Sequence, residues 1–262
     1  MRFGWRASML CVVLALLALL CNMPRTRSAA IEWTPSLEFQ LFGAQRERLA
    51  VDAPCRAVSV GGGWGKHFVC ERAYEEPCAF YSFGIASDWS FDADLARRTG
   101  CQGFAFDPSV AHSTALAPNV TFMQVAARSL EADAWTIVTT LPALRRWLRH
   151  DRMAVLKMDC EGCEFGIAED VENESPAFWS TVDQFAVEVH LPRFFMRTPR
   201  HMHNWALLLR QLRVAGLKLV HADITGCHPD HERSGCLPEL VDAGYPCKVG
   251  QMCQNFAFAK SI

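Results

Sequence analysis

Three short apolar runs, each ending in a glycine or an acid, constrain this chain more than any other feature. They are Ala79-Phe80-Tyr81-Ser82-Phe83-Gly84, Gly103-Phe104-Ala105-Phe106-Asp107, and Met153-Ala154-Val155-Leu156 running on to Met158-Asp159. Short continuous apolar runs read as strands buried on both faces, as in a parallel sheet. Open α/β sheets bind ligands just outside the C-terminal ends of such strands. The third run continues as Cys160-Glu161-Gly162-Cys163-Glu164, so three carboxylates fall within six residues. The three endings together predict one site for a nucleotide-like cofactor.

From residue 79 the pattern alternates between strands and helices. Strand Ala79–Phe83 leads into a helix whose start Ser90 and Asp94 can cap. Strands over Gly103–Phe106 and Val120–Val125 follow, then a helix over Leu141–Arg149, strand Ala154–Met158 and a helix over Cys163–Val171. Strand Gln184–Val189 precedes a helix carrying Trp205, Leu208, Leu209 and Leu212 and closed by Gly216. Two late runs, Leu217–Val220 and Phe256–Ala259, have no helix between them. The expected fold is α/β, a Rossmann-like sheet, mostly parallel with an antiparallel edge strand. Residues 31–78 read as an irregular N-terminal lead, in which Gly61-Gly62-Gly63-Trp64-Gly65 is a tight turn joining two short strands. No Lys-Ser/Thr pair follows those glycines at P-loop distance.

Residues 1–30 have the layout of a secretory signal: Arg2 and Arg6, an apolar run from Met9 to Cys21, and Ser28-Ala29-Ala30 as a cleavage site. The run is short against the roughly 20 residues a bilayer span needs. Arg25 and Arg27 also bound it, so an uncleaved type II anchor is the alternative, and membrane attachment is expected only in that case. Without this segment the chain has 22 basic and 28 acidic residues, a net charge of −6. That balance, with no basic stripe, argues against nucleic acid as a partner. Ten of the twelve cysteines remain, an even number that suits disulfides in a secreted chain. Bridges are expected within the group Cys55, Cys70, Cys78 and within the group Cys227, Cys236, Cys247, Cys253. A zinc site using His228 and His231 is the rival for the second group, although the spacing matches no standard finger. Asn119-Val120-Thr121 and Asn173-Glu174-Ser175 are glycosylation sequons, the second disfavoured by Pro176.

Gly84 lets backbone approach a ligand at a helix start; the plainer reading is a strand-to-helix turn. Asp107, 23 residues later, suits a ribose diol, against the alternative of an Asp-Pro turn with Pro108. Asp159 ends an apolar strand, where a carboxylate must be paired or liganded, whereas Glu161 also reads as a helix-start acid. Glu188 and His190 close the fifth strand on one face, beside the fourth. There they can serve as a general base, join Asp159 around a divalent metal, or simply order the loop. Cys160-Glu-Gly-Cys163 invites a thioredoxin-type reading, but its place in an acidic loop argues against redox chemistry. Trp89 and Phe91 suit either a cofactor pocket or the core. His201 and His203, at a helix start, read as surface residues.

Tyr81-Ser-Phe-Gly-Ile-Ala-Ser-Asp-Trp-Ser-Phe-Asp92, Phe104-Ala-Phe-Asp-Pro-Ser109, Leu156-Lys-Met-Asp-Cys-Glu-Gly-Cys-Glu164 and Val187-Glu-Val-His-Leu191 resemble the motifs of one family. It is the methyltransferase-domain family that includes methyltransferase-like protein 24, within the larger FkbM-type group. The resemblance spans about residues 55 to 260. It implies a class I methyltransferase domain over 79–262 and S-adenosylmethionine as cofactor. By position it implies that Ser82, Gly84 and Asp88 contact the cofactor's amino-acid end, and Asp107 its ribose. Asp159 would then face the methyl group, with Asp159 or His190 as base and Glu188 beside them. The Gly-Ala-Asn-x-Gly loop usual in FkbM-type enzymes is absent here. No resident metal is expected, and the acceptor, whether small molecule, glycan or protein, stays open. A non-catalytic binding protein of the secretory pathway and a metal-dependent nucleotide-sugar enzyme using Asp159, Glu161 and His190 are the competing readings.

Overall fold

The computed structural model describes residues 33–49, 53–112, 115–127, 137–243, 245 and 247–261. The signal or anchor expected over 1–30, with its arginines and Cys11 and Cys21, lies outside the described residues. In chain order the strands are β1 (Ala57–Val60), β2 (His67–Cys70), β3 (Ala79–Phe83), β4 (Gln102–Phe106), β5 (Ala115–Ala117) and β6 (Val120–Met123). They continue as β7 (Val125–Ala127), β8 (Ile137–Thr139), β9 (Val155–Met158), β10 (Gln184–His190), β11 (Leu217–Thr225) and β12 (Cys253–Lys260). The helices are α1 (Pro35–Glu47), α2 (Ser90–Thr99), α3 (Leu141–Leu148), α4 (Glu164–Glu174), α5 (Pro199–Val214), α6 (Pro229–Glu232) and α7 (Pro238–Asp242).

Eight strands form the main sheet in the order β11-β12-β10-β9-β3-β4-β6-β5. β10, β9, β3, β4 and β6 run parallel, β12 lies antiparallel between β10 and β11, and β5 closes the far edge antiparallel to β6. The sheet is thus mostly parallel with antiparallel members, as its runs predict. Every residue of β3 and β9 is buried, so both sheet faces are covered. Helix α1 packs on α5, α5 on α4 and α4 on α3, while α2 packs beside β1. β3 has β4 on one side and β9 on the other. The strand order therefore reverses there, opening a crevice at the strands' C-terminal ends.

The N-terminal lead is more ordered than its sequence suggests. Thr34 caps α1 by accepting from Leu37 N at 3.1 Å, and Pro35 fits the first turn. Phe42 meets Trp205 and Phe256 edge-on, and Glu38 pairs with Arg213 through two hydrogen bonds of 3.0 and 2.9 Å. The 61–65 glycine turn joins β1 to β2 as an antiparallel hairpin, as expected. Ser90 and Asp94 do not cap α2 but hold this turn. Ser90 Oγ accepts from Gly62 N at 3.0 Å, and Asp94 Oδ2 from Gly61 N at 3.2 Å. The strand expected over Val120–Val125 divides into β6 and β7, and β7 pairs with the unanticipated β8.

Five disulfides join described residues: Cys55–Cys70, Cys78–Cys101, Cys160–Cys163, Cys227–Cys253 and Cys236–Cys247. Three lie within the expected groups. Cys78 instead pairs with Cys101, because each immediately precedes one of two neighbouring parallel strands in register Ala79↔Gln102. The two C-terminal bridges occupy all four thiols proposed for zinc. No helix among the described residues is long and apolar enough to cross a membrane.

Candidate active site

A cavity of about 800 Å³ opens at the C-terminal ends of β3, β4, β9 and β10. Gly84, Asp107, Asp159, Glu161, Glu188 and His190 all line it. Its volume lies in the range of small-molecule sites.

Gly84 is fixed by the fold as much as by any ligand. Its φ is +71°, and a Cβ built there would overlap the Asp159 carbonyl oxygen. Its N–H donates to Phe106 O at 2.9 Å. Lys157, buried on β9, donates from Nζ to Phe83 O at 3.2 Å and Gly84 O at 2.8 Å. The same ammonium lies 3.7 Å from Asp159 Oδ2, so one cation ties the ends of β3 and β9 together.

Asp107 links the loops after β3 and β4. Oδ2 accepts from Ala86 N at 2.8 Å, and Oδ1 accepts from Ser109 N at 2.8 Å and Ser109 Oγ at 2.6 Å. A carboxylate offers about four acceptor positions, which leaves room for one ligand hydroxyl. Asp107 thus builds the turn after β4 and lines the cavity.

Asp159 is the centre of an alternating set of charges. His67 Nε2 stands 3.4 Å from Oδ2 and His190 Nε2 3.7 Å from Oδ1. Burial works to raise the Asp159 pKa, but the Lys157 ammonium and the two imidazoles outweigh it and hold the carboxyl well below the usual range. His190 in turn has Glu164 on its other ring nitrogen, with Nδ1 3.1 Å from Oε1, and that oxygen also accepts from His190 N at 3.1 Å. Burial disfavours the imidazolium, yet the Glu164 carboxylate, helped by Asp159 and Glu188, pushes His190 up to about 9. His67 has no such partner pair; burial lowers its pKa despite Asp159, and it stays neutral.

The remaining sequence-selected residues lie elsewhere. Ser82 is wholly buried and interacts with Asp92 of α2, whose own carboxyl burial pushes up to about 6. Asp88 accepts from Gly65 N at 2.9 Å and Ser90 N at 3.0 Å, so it ties the first residue of α2 to the glycine turn. Neither is among the described residues lining the cavity. Phe91 packs in the core against His67, and Trp89 packs on His112. His201, expected at the surface, is buried, stacks on Phe165 and lines the cavity, whereas His203 is exposed. Sequence reasoning missed Phe194, Phe195 and Arg197, which line the cavity, as do His228 and His231, named there only as rival zinc ligands. It also missed His67, Lys157 and Glu164 as the groups that hold Asp159 and His190. The one available signal was Glu164 as the third acid of the motif. Among the described residues, two sets of at least three metal-capable side chains lie within 4.8 Å of one another: Cys160, Cys163 and Glu164, and Glu188, His190 and Cys253. Their cysteines are all engaged in disulfides.

A model of a family described as a methyltransferase domain matches residues 46–204, more than half of the chain. No curated protein matches the sequence. Among solved structures, Haemonchus contortus phospholethanolamine N-methyltransferase 2, in complex with phosphomonomethylethanolamine and S-adenosylhomocysteine, aligns at 9% identity with a TM-score of 0.30. That alignment covers 72% of this chain and 50% of the nematode enzyme, so the chain spans about half of that relative's length. The plantazolicin methyltransferase BpumL, in complex with S-adenosylhomocysteine, aligns at 8% identity with a TM-score of 0.29, covering 87% of this chain and 85% of that one. Membership rests on the family match: the chain belongs to this methyltransferase-domain family.

Proposed function

We propose that the protein is a secretory-pathway methyltransferase that transfers the methyl group of S-adenosylmethionine to an oxygen acceptor on a small molecule, glycan or protein. One observation carries this reading: Gly84, Asp107, Asp159, Glu188 and His190 converge on one cavity at the point where strand order reverses. The lining fits the cofactor. Asp107 keeps an acceptor position for a ribose hydroxyl, and the carboxylates of Asp159, Glu161 and Glu188 suit a cation. The Leu156–Glu164 motif supports a place near the FkbM-type group.

S-adenosylmethionine, when bound, supplies an activated methyl carbon. What remains for this chain is to align the acceptor oxygen and take its proton. His190 faces the cavity with Nδ1 fixed on Glu164, which leaves Nε2 for the acceptor and for Asp159. Its raised pKa makes it a strong base that is mostly protonated at neutral pH, so turnover rises as pH approaches about 9. Asp159 stays ionised and holds the imidazolium that forms on proton transfer.

Five disulfides and two exposed sequon asparagines, Asn119 and Asn173, support an oxidising, glycosylating compartment. The acidic balance of the chain supports an acceptor other than nucleic acid. A cofactor-binding protein without catalysis is the second reading. It is favoured by the loop after β3, where Gly84 N, Ala86 N and Asp88 N already bond within the protein. Calorimetric titration of the protein with S-adenosylmethionine, repeated on Asp107→Ala, tests the enzyme reading. A wild-type heat that weakens at least about tenfold in the variant is expected, on the scale of a lost hydrogen bond to a charged group. No wild-type binding overturns it, and binding without turnover of any acceptor at pH 9 selects the second reading.

A further inference from the structure

We infer that the Cys160–Cys163 bridge is a thiol–disulfide exchange site for a dithiol reductant, coupled through Glu164 to the His190 imidazole. The proposal goes beyond methyl transfer, and only its consequence for catalysis rests on His190 acting as base.

Position sets this bridge apart. Both sulfurs belong to half-buried residues that line the cavity. Cys227–Cys253 also lines the cavity, but it, like Cys55–Cys70 and Cys78–Cys101, has one cysteine at 1–2% exposure. Cys236–Cys247 is half-buried too, but neither partner is among the described cavity residues. Cys160–Cys163 also closes the shortest loop, with a sequence separation of 3 against 11 to 26 for the others. A short loop removes the least entropy from the unfolded chain, so this bridge contributes least as a staple.

The bridge is built into the machinery around His190. Cys160 directly follows Asp159, and Cys163 directly precedes Glu164. Cys160 Sγ lies 3.8 Å from Glu164 Oε2, and Gly162 N donates to the same oxygen at 2.8 Å. The other Glu164 oxygen holds His190. Between the two sulfurs Glu161 has φ +54° and Gly162 φ +114°. A non-glycine residue with positive φ is held there at a cost and relaxes when its constraint is cut.

The exchange balances without other reactants. A thiolate of the reductant attacks one sulfur of the bridge, forming a mixed disulfide, and its second thiol displaces that intermediate. The Cys160–Cys163 S–S bond breaks, the reductant's S–S bond forms, and two electrons and two protons pass to the cysteines. The freed Cys160 S–H then becomes a donor beside Glu164 Oε2, while the 161–162 turn relaxes. Both changes move the carboxylate that orients His190.

The folded protein is treated with graded dithiothreitol, alkylated and mapped by mass spectrometry, while the His190 ring is followed by ¹⁵N NMR at fixed neutral pH. Cys160 and Cys163 are expected to label at about tenfold lower reductant than Cys78 and Cys101, a readily resolved difference in exchange constant. The His190 ring signals are expected to move with that labelling. They should move likewise in Cys160→Ser/Cys163→Ser and not in Cys236→Ser/Cys247→Ser. Two results overturn the proposal: a Cys160–Cys163 pair that opens only with the buried bridges, or an opened pair that leaves the His190 signals in place. Neither readout depends on methyl transfer, so a failure of S-adenosylmethionine to bind leaves this test intact and counts against the enzyme reading alone.

Discussion

The imidazolium of His190 makes folding stability depend on pH in a narrow and unusual window. A histidine titrates near 6.5 in the unfolded chain, whereas between Glu164 and Asp159 it titrates at about 9. Its folded pKa is raised, so its contribution is fully present below 6.5 and is lost as pH rises through 9. In that interval the folded state binds one more proton than the unfolded state. Unfolding free energy should therefore fall by about 1.4 kcal/mol per pH unit, some ~3 kcal/mol in all. That is a large share of a typical stability of roughly 5–15 kcal/mol. His67, His150, His201 and His221 are shifted the other way. Each of these weakens stability only as pH falls through 6.5, so of the five shifted histidines His190 alone acts above 7.5, while Lys260, shifted down, works in the opposite direction at the alkaline end. Urea unfolding of the disulfide-intact protein between pH 7.5 and 9.5 measures the slope. His190→Gln, which keeps a donor toward Glu164, should abolish it. A wild-type stability that is flat or rising across this window would refute the placement of His190 between the carboxylates of Glu164 and Asp159.

Gly84→Ala sets a Cβ against the Asp159 carbonyl in a left-handed conformation. It should cost about 2–4 kcal/mol, from overpacking and the unfavourable φ together, and should weaken S-adenosylmethionine binding in calorimetry. Lys157→Met removes the cation beside Asp159, and thermal unfolding should show a loss of about 3–5 kcal/mol, as for breaking a buried ion pair. Cys78→Ala/Cys101→Ala opens a loop with a sequence separation of 23 and should cost about 2–5 kcal/mol in urea. An unchanged midpoint in that pair of variants would mean the bridge is no staple.

The parts of this molecule that could be read along the chain are those whose cause is local. β3, β4 and β9 are largely apolar because both faces are covered, with Ser82 and Lys157 the buried polar exceptions, and their polar endings mark the sheet edge. What escaped has its cause at a distance. In α1 one of the buried residues is Glu38, satisfied by Arg213 from α5, so the apolar spacing never showed a helical face. His201 looks like a solvent residue at a helix start until Phe165 is stacked on it. His67 becomes part of the site only because the hairpin brings its ring 3.4 Å from Asp159. Asp88 is the reverse case: its place after β3 fits a cofactor loop, and in the fold its carboxylate holds the glycine turn and the first residue of α2.

The buried charges explain why the site takes this form. An isolated ion in a protein interior is expensive, and a buried pair seldom stabilises more than a well-packed apolar substitute. Here His190 is flanked by Glu164 and Asp159, and Asp159 in turn by His190, Lys157 and neutral His67, so each charge faces its opposite. The arrangement is too specific to be explained by stability alone, since apolar packing would serve the core as well. It fixes one ring nitrogen of His190 on a carboxylate that solvent cannot reach and leaves the other toward the cavity. Lys157 completes the logic: the ammonium that neutralises Asp159 also clamps the carbonyls of Phe83 and Gly84. Charge balance at the proton-accepting group and the geometry of the loop after β3 are thereby set by one side chain, so a change at either is transmitted to the other.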